Sequence, residues 1–393
     1  MTTSLPLDGI KIVDLTQVML GPCATQMLGD LGADVIKVER PGAGDLSRTS
    51  IENDPTLGDN PVFCSLNRNK RSIAVDLRSP DGRRIVQELA AAADVIVNNF
   101  RPGVMDRLGL GYEALKETNP RLIYAGGSGF GASGPYQHKG GQDVLAQAMT
   151  GVMDRKADPE HPLAIYPTAL CDYSAGMHLV QGVLAALIQR DKTGAGQRVD
   201  VSLYDSMIAM QMQEAAMRLM RDRDLNWAAM PLTGAFETAD GALVLVGAFK
   251  ANPLQDISAA LGIDDLSADY PTLEIQREHR SYLQSVFREN FASNTTAYWI
   301  ERLEGQDLLC APIKTLADAL TDPQTIHNGM VAECAYRGNQ TLSVVASPVH
   351  LSDAPFAVRV APPALGEQSD EILGELGYDA AAIAAFREAG MVA

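Results

Sequence analysis

Ile10-Lys-Ile-Val-Asp-Leu15, the loop Thr16-Gln-Val-Met-Leu-Gly-Pro22, the segment Cys23 to Leu31 and then Asp34-Val-Ile-Lys-Val-Glu39 read as strand, loop, helix and strand. The short runs are rich in β-branched residues and bounded by turn formers, as strands are. A second unit follows, with strand Ser72-Ile-Ala-Val-Asp-Leu77, helix Pro80 to Ala92, strand Asp94-Val-Ile-Val-Asn98 and a further strand at Leu122-Ile-Tyr-Ala125. Repeated units of this kind predict an α/β fold built on a doubly wound, mainly parallel, Rossmann-like sheet. Ligands on such sheets lie beyond the carboxyl ends of the strands. Those ends are Thr16 to Leu20, Glu39-Arg40, Asn98-Asn99-Phe100-Arg101 and Gly126 to Gly134, so they point to one crevice.

Further along, Pro167 to Arg190 carries apolar residues Met177, Val180, Val183, Leu184, Leu187 and Ile188 at spacings of three and four, and stops at Lys192-Thr-Gly-Ala-Gly196. This is the pattern of a buried helix ending in glycines. Asp172 lies about one turn from its start, where amides favour negative charge. The small Ser174, Ala175 and Gly176 leave room for a bulky group against the carboxylate. The plainer alternative is that Asp172 or Ser174 only caps the helix. A strand Arg198 to Leu203 and a helix Tyr204 to Arg223 follow, the latter with packing methionines Met207, Met210, Met212, Met217 and Met220. The charged run Arg221-Asp-Arg-Asp224 marks a linker, and strand and helix signals resume near Pro231. The expected organisation is a large domain over residues 1–220, a smaller α+β domain over 230–320, and a return segment and C-terminal arm over 321–393 that completes the large domain.

A chain of 393 residues with no run near the roughly 20 apolar residues that cross a bilayer, and with no signal peptide in Met1 to Asp8, is expected to be soluble and cytoplasmic. Its five cysteines, Cys23, Cys64, Cys171, Cys310 and Cys334, are scattered, which argues for reduced thiols and against a zinc cluster. The histidines show no metal spacing, so no metal is expected. A net charge of −17 disfavours nucleic acid as a partner. Against that field, Asn67-Arg-Asn-Lys-Arg71 and Arg40, Arg78, Arg101 and Arg107 gather near strand ends, which suits a ligand with phosphates and a long neutral arm. Gly129-Phe-Gly-Ala-Ser-Gly134 matches a dinucleotide pattern but runs on into Pro135 to Gly141 without opening a helix, so the nucleotide reading fails. His178, six residues from Asp172, falls on the opposite side of the helix, and Cys171 has no basic neighbour to lower its pKa.

Leu7-Asp-Gly-Ile-Lys-Ile-Val-Asp-Leu15, Gly32 to Gly42, Asn69-Lys-Arg-Ser-Ile73, Asn99-Phe-Arg-Pro-Gly103, Gly129-Phe-Gly131 with Gly134-Pro-Tyr136, Gly194-Ala-Gly-Gln197 and Leu365-Gly-Glu367 together resemble the class III coenzyme A transferases. These are the CaiB/BaiF, formyl-CoA transferase-like family. The resemblance implies a large and a small domain, an interlocked homodimer, and an aspartate nucleophile that falls on Asp172. It implies CoA contacts at Val18, Met19, Arg40, Val75, Arg78, Asn99, Phe100, Arg101, Arg107, Gly140, Gln142 and Asp143, with Lys139 one place before the position where some relatives carry lysine. It also implies CoA thioesters as substrates, a carboxylic acid as second substrate and no permanently bound cofactor. Racemases of 2-methylacyl-CoA share the fold and use a Gly-His-Asp triplet, which here reads Gly141-Gln142-Asp143. Glutamine takes up no proton at neutral pH, so transfer is expected over racemisation. A CoA-ester binding protein without turnover is the third alternative.

Overall fold

The β-branched runs become strands because they pack well on a pleated surface covered on both sides. In the computed structural model, which describes residues 4–51, 60–158 and 160–393, the strands β1 (Lys11–Asp14), β2 (Asp34–Glu39), β3 (Lys70–Ala74), β4 (Val95–Asn98), β5 (Ile123–Ser128) and β6 (Arg198–Ser202) form one sheet. Its order is β3-β2-β1-β4-β5-β6. All pairs are parallel, with Val13 opposite Ile36 on one side and Ile96 on the other. The order reverses between β1 and β4, which places the ligand crevice of a doubly wound sheet above those two ends. Of the start Met1 to Asp8, residues 1–3 lie outside the described residues.

The helices of this sheet are α1 (Leu20–Asp30), α2 (Pro61–Leu66), α3 (Pro80–Ala92), α4 (Val104–Arg107), α5 (Tyr112–Thr118), α6 (Asp143–Met149), α7 (Leu170–Thr193) and α8 (Leu203–Met210). Helix α3 starts as its sequence dictates, with the Ser79 hydroxyl accepting from the Gly82 N–H and Pro80 at the first position. Helix α7 stops at Gly194, which adopts the left-handed conformation that glycine tolerates. Ile85, Val86 and Leu89 of α3 join Val13, Ile36, Ile73 and Ile96 in one buried core. Helix α7 packs on α1, α6, α8, β5 and β6.

Three expectations need correction. The buried stripe of α7 is Cys171, Ala175, Leu179, Val183 and Ala186, whereas Met177 and Ile188 are exposed. Ser174, Ala175 and Gly176 are buried too, and a Cβ on Gly176 would sit 3.0 Å from the Leu20 carbonyl oxygen and 3.4 Å from Cys23, so Gly176 admits α1 rather than a ligand. The helix expected over Tyr204 to Arg223 breaks in two, α8 ending at Met210 and α9 running Met212–Arg221. At the break sits Gln211, whose buried amide donates to the Thr150 and Met207 carbonyls at 3.1 and 2.9 Å. Of its methionines only Met207 is buried.

The chain divides into two compact units. The first comprises Met1–Val152, Ile165–Gln211 and Gln324–Ala393, and the second Met153–Ala164 and Met212–Pro323. The second holds α9, β7 (Thr233–Glu237), β8 (Ala242–Val246), α10 (Pro253–Leu261), α11 (Leu273–Glu278), α12 (Arg280–Phe291), α13 (Thr296–Gly305) and β9 (Leu309–Pro312). Its three strands are antiparallel in the order β7-β8-β9. Phe236, Phe287, Phe291 and Trp299 fill its core, the indole N–H donating to the Phe291 carbonyl at 2.8 Å.

Candidate active site

Helix α7 begins two residues before Asp172, and its N-cap, Ala169, has no side chain to offer. The capping carboxylate comes instead from Asp143, the buried first residue of α6. One of its oxygens accepts from the Cys171 and Asp172 amides at 2.7 and 3.0 Å, and the other from the Gln147 side chain at 2.6 Å. Asp172 is therefore released from capping. The backbone N–H of Leu20, the first residue of α1, favours its charged form, so two helix starts bear on one acid. Burial pushes the Asp172 carboxyl up to about 6 and the Asp143 charge adds to this, against the Leu20 N–H. It remains mostly ionised at neutral pH and is more basic than an ordinary carboxylate at about 3.9. Cys171, by contrast, is pushed up to about 12 by burial and then by Asp143 and Asp172, which removes it as a nucleophile.

A pH profile tests this coupling. A reaction that needs the Asp172 anion loses rate as pH falls through about 6. In Asp143→Asn the amide oxygen still accepts from α7 while the negative charge is gone, so the acid limb of kcat/KM is expected to move to lower pH. An unmoved limb would mean that Asp172 does not feel Asp143.

At the reversal of strand order, Asn99 clamps the loop after β1 by donating to the Gln17 carbonyl at 2.7 Å and accepting its N–H at 2.9 Å. Val18 follows with φ of 68°, rare for a β-branched residue. Its N–H is held by Asp45 at 3.0 Å, and buried Asp45 pairs with fully buried Lys37 at 2.8 Å. Lys37 also donates to the Thr16 carbonyl at 2.9 Å, so this loop is fixed from beneath. Val18 is exposed and Met19 half-buried at the rim. The sequence reading missed Lys37 and Asp45. The signal was a lysine inside Asp34-Val-Ile-Lys-Val-Glu39, because a charge on a strand buried on both faces requires a partner.

Asn99, Phe100, Arg101, Lys139 and the turn Gly129 to Gly131 line one cavity of about 200 Å³. Arg101 lies so close that a Cβ on Gly140 would sit 3.1 Å from its guanidinium, and the Lys139 ammonium stands 4.2 Å from the Tyr136 ring centre. Gly129 and Gly141 meet back to back, a Cβ on either falling 2.3 Å from the other's Cα. Arg40 and Arg107 are exposed, and neither forms a salt bridge among the described residues. Gln142 is exposed at the start of α6.

Other expected contacts are spent elsewhere. The Val75 side chain belongs to the core and its backbone bridges to Val392, so that side chain cannot face a ligand. Both Asp143 oxygens are committed as described, whereas the Arg78 guanidinium makes only a surface ion pair with Asp76 at 2.8 Å, its side chain being 78% exposed. The basic cluster at 67–71 is structural. Arg68 pairs with Asp30 at 2.7 Å, Lys70 with Asp14 at 3.1 Å, and Arg71 with Asp34, Glu371 and Glu375 at 2.6, 2.8 and 2.8 Å. Acidic residues distant in sequence neutralise it, which spacing alone does not reveal. Among the described residues no cluster of three or more His, Cys, Asp or Glu could hold a metal ion, and no helix is long and apolar enough to cross a membrane.

Comparison with known proteins bears on this geometry. The model of CoA-transferase family III matches residues 7–369. The chain is 37% identical over 398 residues to the human succinyl-CoA:glutarate CoA-transferase, covering 98% of this chain and 90% of that protein. It is 37% identical to an acyl-CoA transferase of Fusarium pseudograminearum, covering 98% and 88%. A CaiB/BaiF family protein from Brucella suis superposes with a TM-score of 0.84 at 32% identity, over 95% of this chain and all of that one.

Proposed function

The chain belongs to CoA-transferase family III and is a CoA-transferase, and from that premise we propose that it moves CoA between two carboxylic acids by covalent catalysis at Asp172. The observation that carries this reading is the half-buried Asp172 carboxylate, free of the capping role and more basic than usual. Its oxygen attacks the donor thioester carbonyl and expels CoA thiolate, giving a mixed anhydride. The thiolate then attacks the aspartyl carbonyl, releasing the donor acid and leaving an aspartyl-CoA thioester. The acceptor carboxylate displaces CoA thiolate again, and return of the thiolate to the acceptor's acyl carbon yields the new thioester and free Asp172. The amides of Cys171 and Asp172 are taken by Asp143, so in this scheme the Leu20 N–H, which already favours the Asp172 anion, would steady charge at the aspartyl group.

CoA enters as a substrate thioester, and no resident cofactor takes part in this scheme. Its phosphates would meet Arg40, Arg101, Arg107 and Lys139, and its neutral arm would run past Val18, Met19, Asn99 and Phe100. For the acids we favour short dicarboxylates, because the human relative is named for succinyl-CoA and glutarate. The exposed apolar residues Tyr173, Met177 and Ile188 on α7 and Ile208 and Met210 on α8 suit burial in an interlocked homodimer. Light scattering is expected to give twice the chain mass, and a monomer at working concentration would exclude the dimer. Five cysteines scattered along the chain fit a reducing, cytoplasmic compartment.

Trapping tests the covalent step. Incubation with succinyl-CoA and hydroxylamine is expected to convert Asp172 into a hydroxamate seen by peptide mass spectrometry. An unmodified peptide under conditions of full turnover would exclude the acyl-enzyme route. The racemase alternative predicts deuterium uptake at carbon 2 of a 2-methylacyl-CoA without exchange of acids, and exposed Gln142 offers no second base for it.

A further inference from the structure

The second unit contains a cavity of about 670 Å³ that the CoA chemistry leaves unused. Its lining includes four arginines, Arg221, Arg223, Arg277 and Arg280, and one acid, Asp224. That carboxylate already faces Arg218 at 3.6 Å, while Arg218 also meets Asp222 at 3.4 Å. None of the four cavity arginines has a salt-bridge partner among the described residues. Asp158, held ionised chiefly by the Glu160 amide, is the other acid that feels Arg280. The Arg280 Nε–H is buried without a hydrogen-bond acceptor. Arg280 is also the first residue of α12, a helix start whose N-cap, His279, supplies no side-chain bond.

Leaving a buried guanidinium donor unmade is costly, and four positive groups converging on one hollow repel each other. In a chain of net charge −17 such a gathering is not a general surface property. Guanidinium forks match phosphate oxygens in pairs, and a helix start adds amides for the same anion. Met217, Leu225 and Met230 give the remaining wall an apolar character, and the volume lies in the range of small-molecule sites, roughly 300–1,000 Å³.

We propose that this cavity is a binding site, made of the second unit alone, for a small molecule carrying two or more phosphate groups. The site is independent of the transfer chemistry at Asp172.

Inorganic tripolyphosphate is the probe, titrated calorimetrically into the full chain. A background of Arg40→Gln, Arg101→Gln, Arg107→Gln and Lys139→Gln removes the cations of the first unit proposed to meet the CoA phosphates. One equivalent per chain is expected to bind in this background, more weakly as salt is added. Arg277→Gln with Arg280→Gln should weaken binding at least about tenfold, since two charge-assisted bonds are lost, with an unchanged melting curve. Should that pair unfold the chain, Arg223→Gln on its exposed segment serves the same purpose. Absence of binding, binding that the cavity substitutions leave intact, or equally tight binding of citrate would each overturn the proposal.

Discussion

Replacing Asp172 by asparagine is expected to stop CoA exchange and, in the same variant, to stabilise the chain. Turnover should fall by about four orders of magnitude or more, as it does when a covalent nucleophile is removed. Asp172→Ala controls for deamidation. The stability gain has a separate origin. Burial and Asp143 raise the carboxyl from 3.8 to about 6, and about two units at about 1.4 kcal/mol each set a ceiling near 3 kcal/mol. Partial solvent access reduces this to about 1–2 kcal/mol. The folded chain binds this proton more tightly than the unfolded chain, so the group costs stability above pH about 6 and nothing below about 4. The variant should therefore melt higher than the parent at pH 7, and the two curves should converge in acid. Turnover within tenfold of the parent would end the assignment of Asp172, and equal melting at pH 7 would refute its buried charge.

Lys70→Met is expected to cost about 3 kcal/mol or more, because it leaves the buried Asp14 charge unpaired. Lys70 and Asp14 are both fully buried, at 3.1 Å, and Lys70 also donates to the Asn67 side chain and the Pro22 carbonyl at 2.9 and 3.1 Å. Asp14 in turn accepts from Thr16 and Thr25. Burial pushes the Asp14 carboxyl up, yet Lys70, Lys37 and these hydroxyls outweigh it and hold it well below the usual range. A depressed folded pKa stabilises above the unfolded value near 3.9 and is lost as pH falls below it. The parent should thus weaken in acid below pH about 4, and Lys70→Met should weaken less steeply there. Asp14→Asn combined with Lys70→Met should recover part of the loss, because no uncompensated charge remains. Additive losses in the urea midpoints of the two single variants and the double would show that the pair does not act as a unit.

Both outcomes depend on partners that lie far apart in the chain, and this marks what was legible. The strands were legible because a run such as Asp34-Val-Ile-Lys-Val-Glu39 excludes other local structures, and β2 spans those six residues. The crevice was legible because parallel strands joined by helices bring their carboxyl ends to one side. Asp172 stood out as an acid at the start of a long apolar helix. What could not be read was which charges are free. Arg68, Lys70 and Arg71 look like a ligand's basic patch until Asp30, Asp14 and Asp34 are seen against them. Nor could spacing tell that Gly176 serves the approach of α1.

By itself, then, the sequence determined the layered α/β architecture, the side of the sheet on which the crevice opens, and the acid at the head of α7, because these follow from periodicity and from the handedness of local connections; where the strand order reverses came only with the fold. Only the tertiary structure decided what that acid is. Asp143, 29 residues earlier, caps the helix in its place, and Leu20 brings the amide of another helix to it. Charge and dielectric act through space, and the distances that set them exist only once the chain has folded.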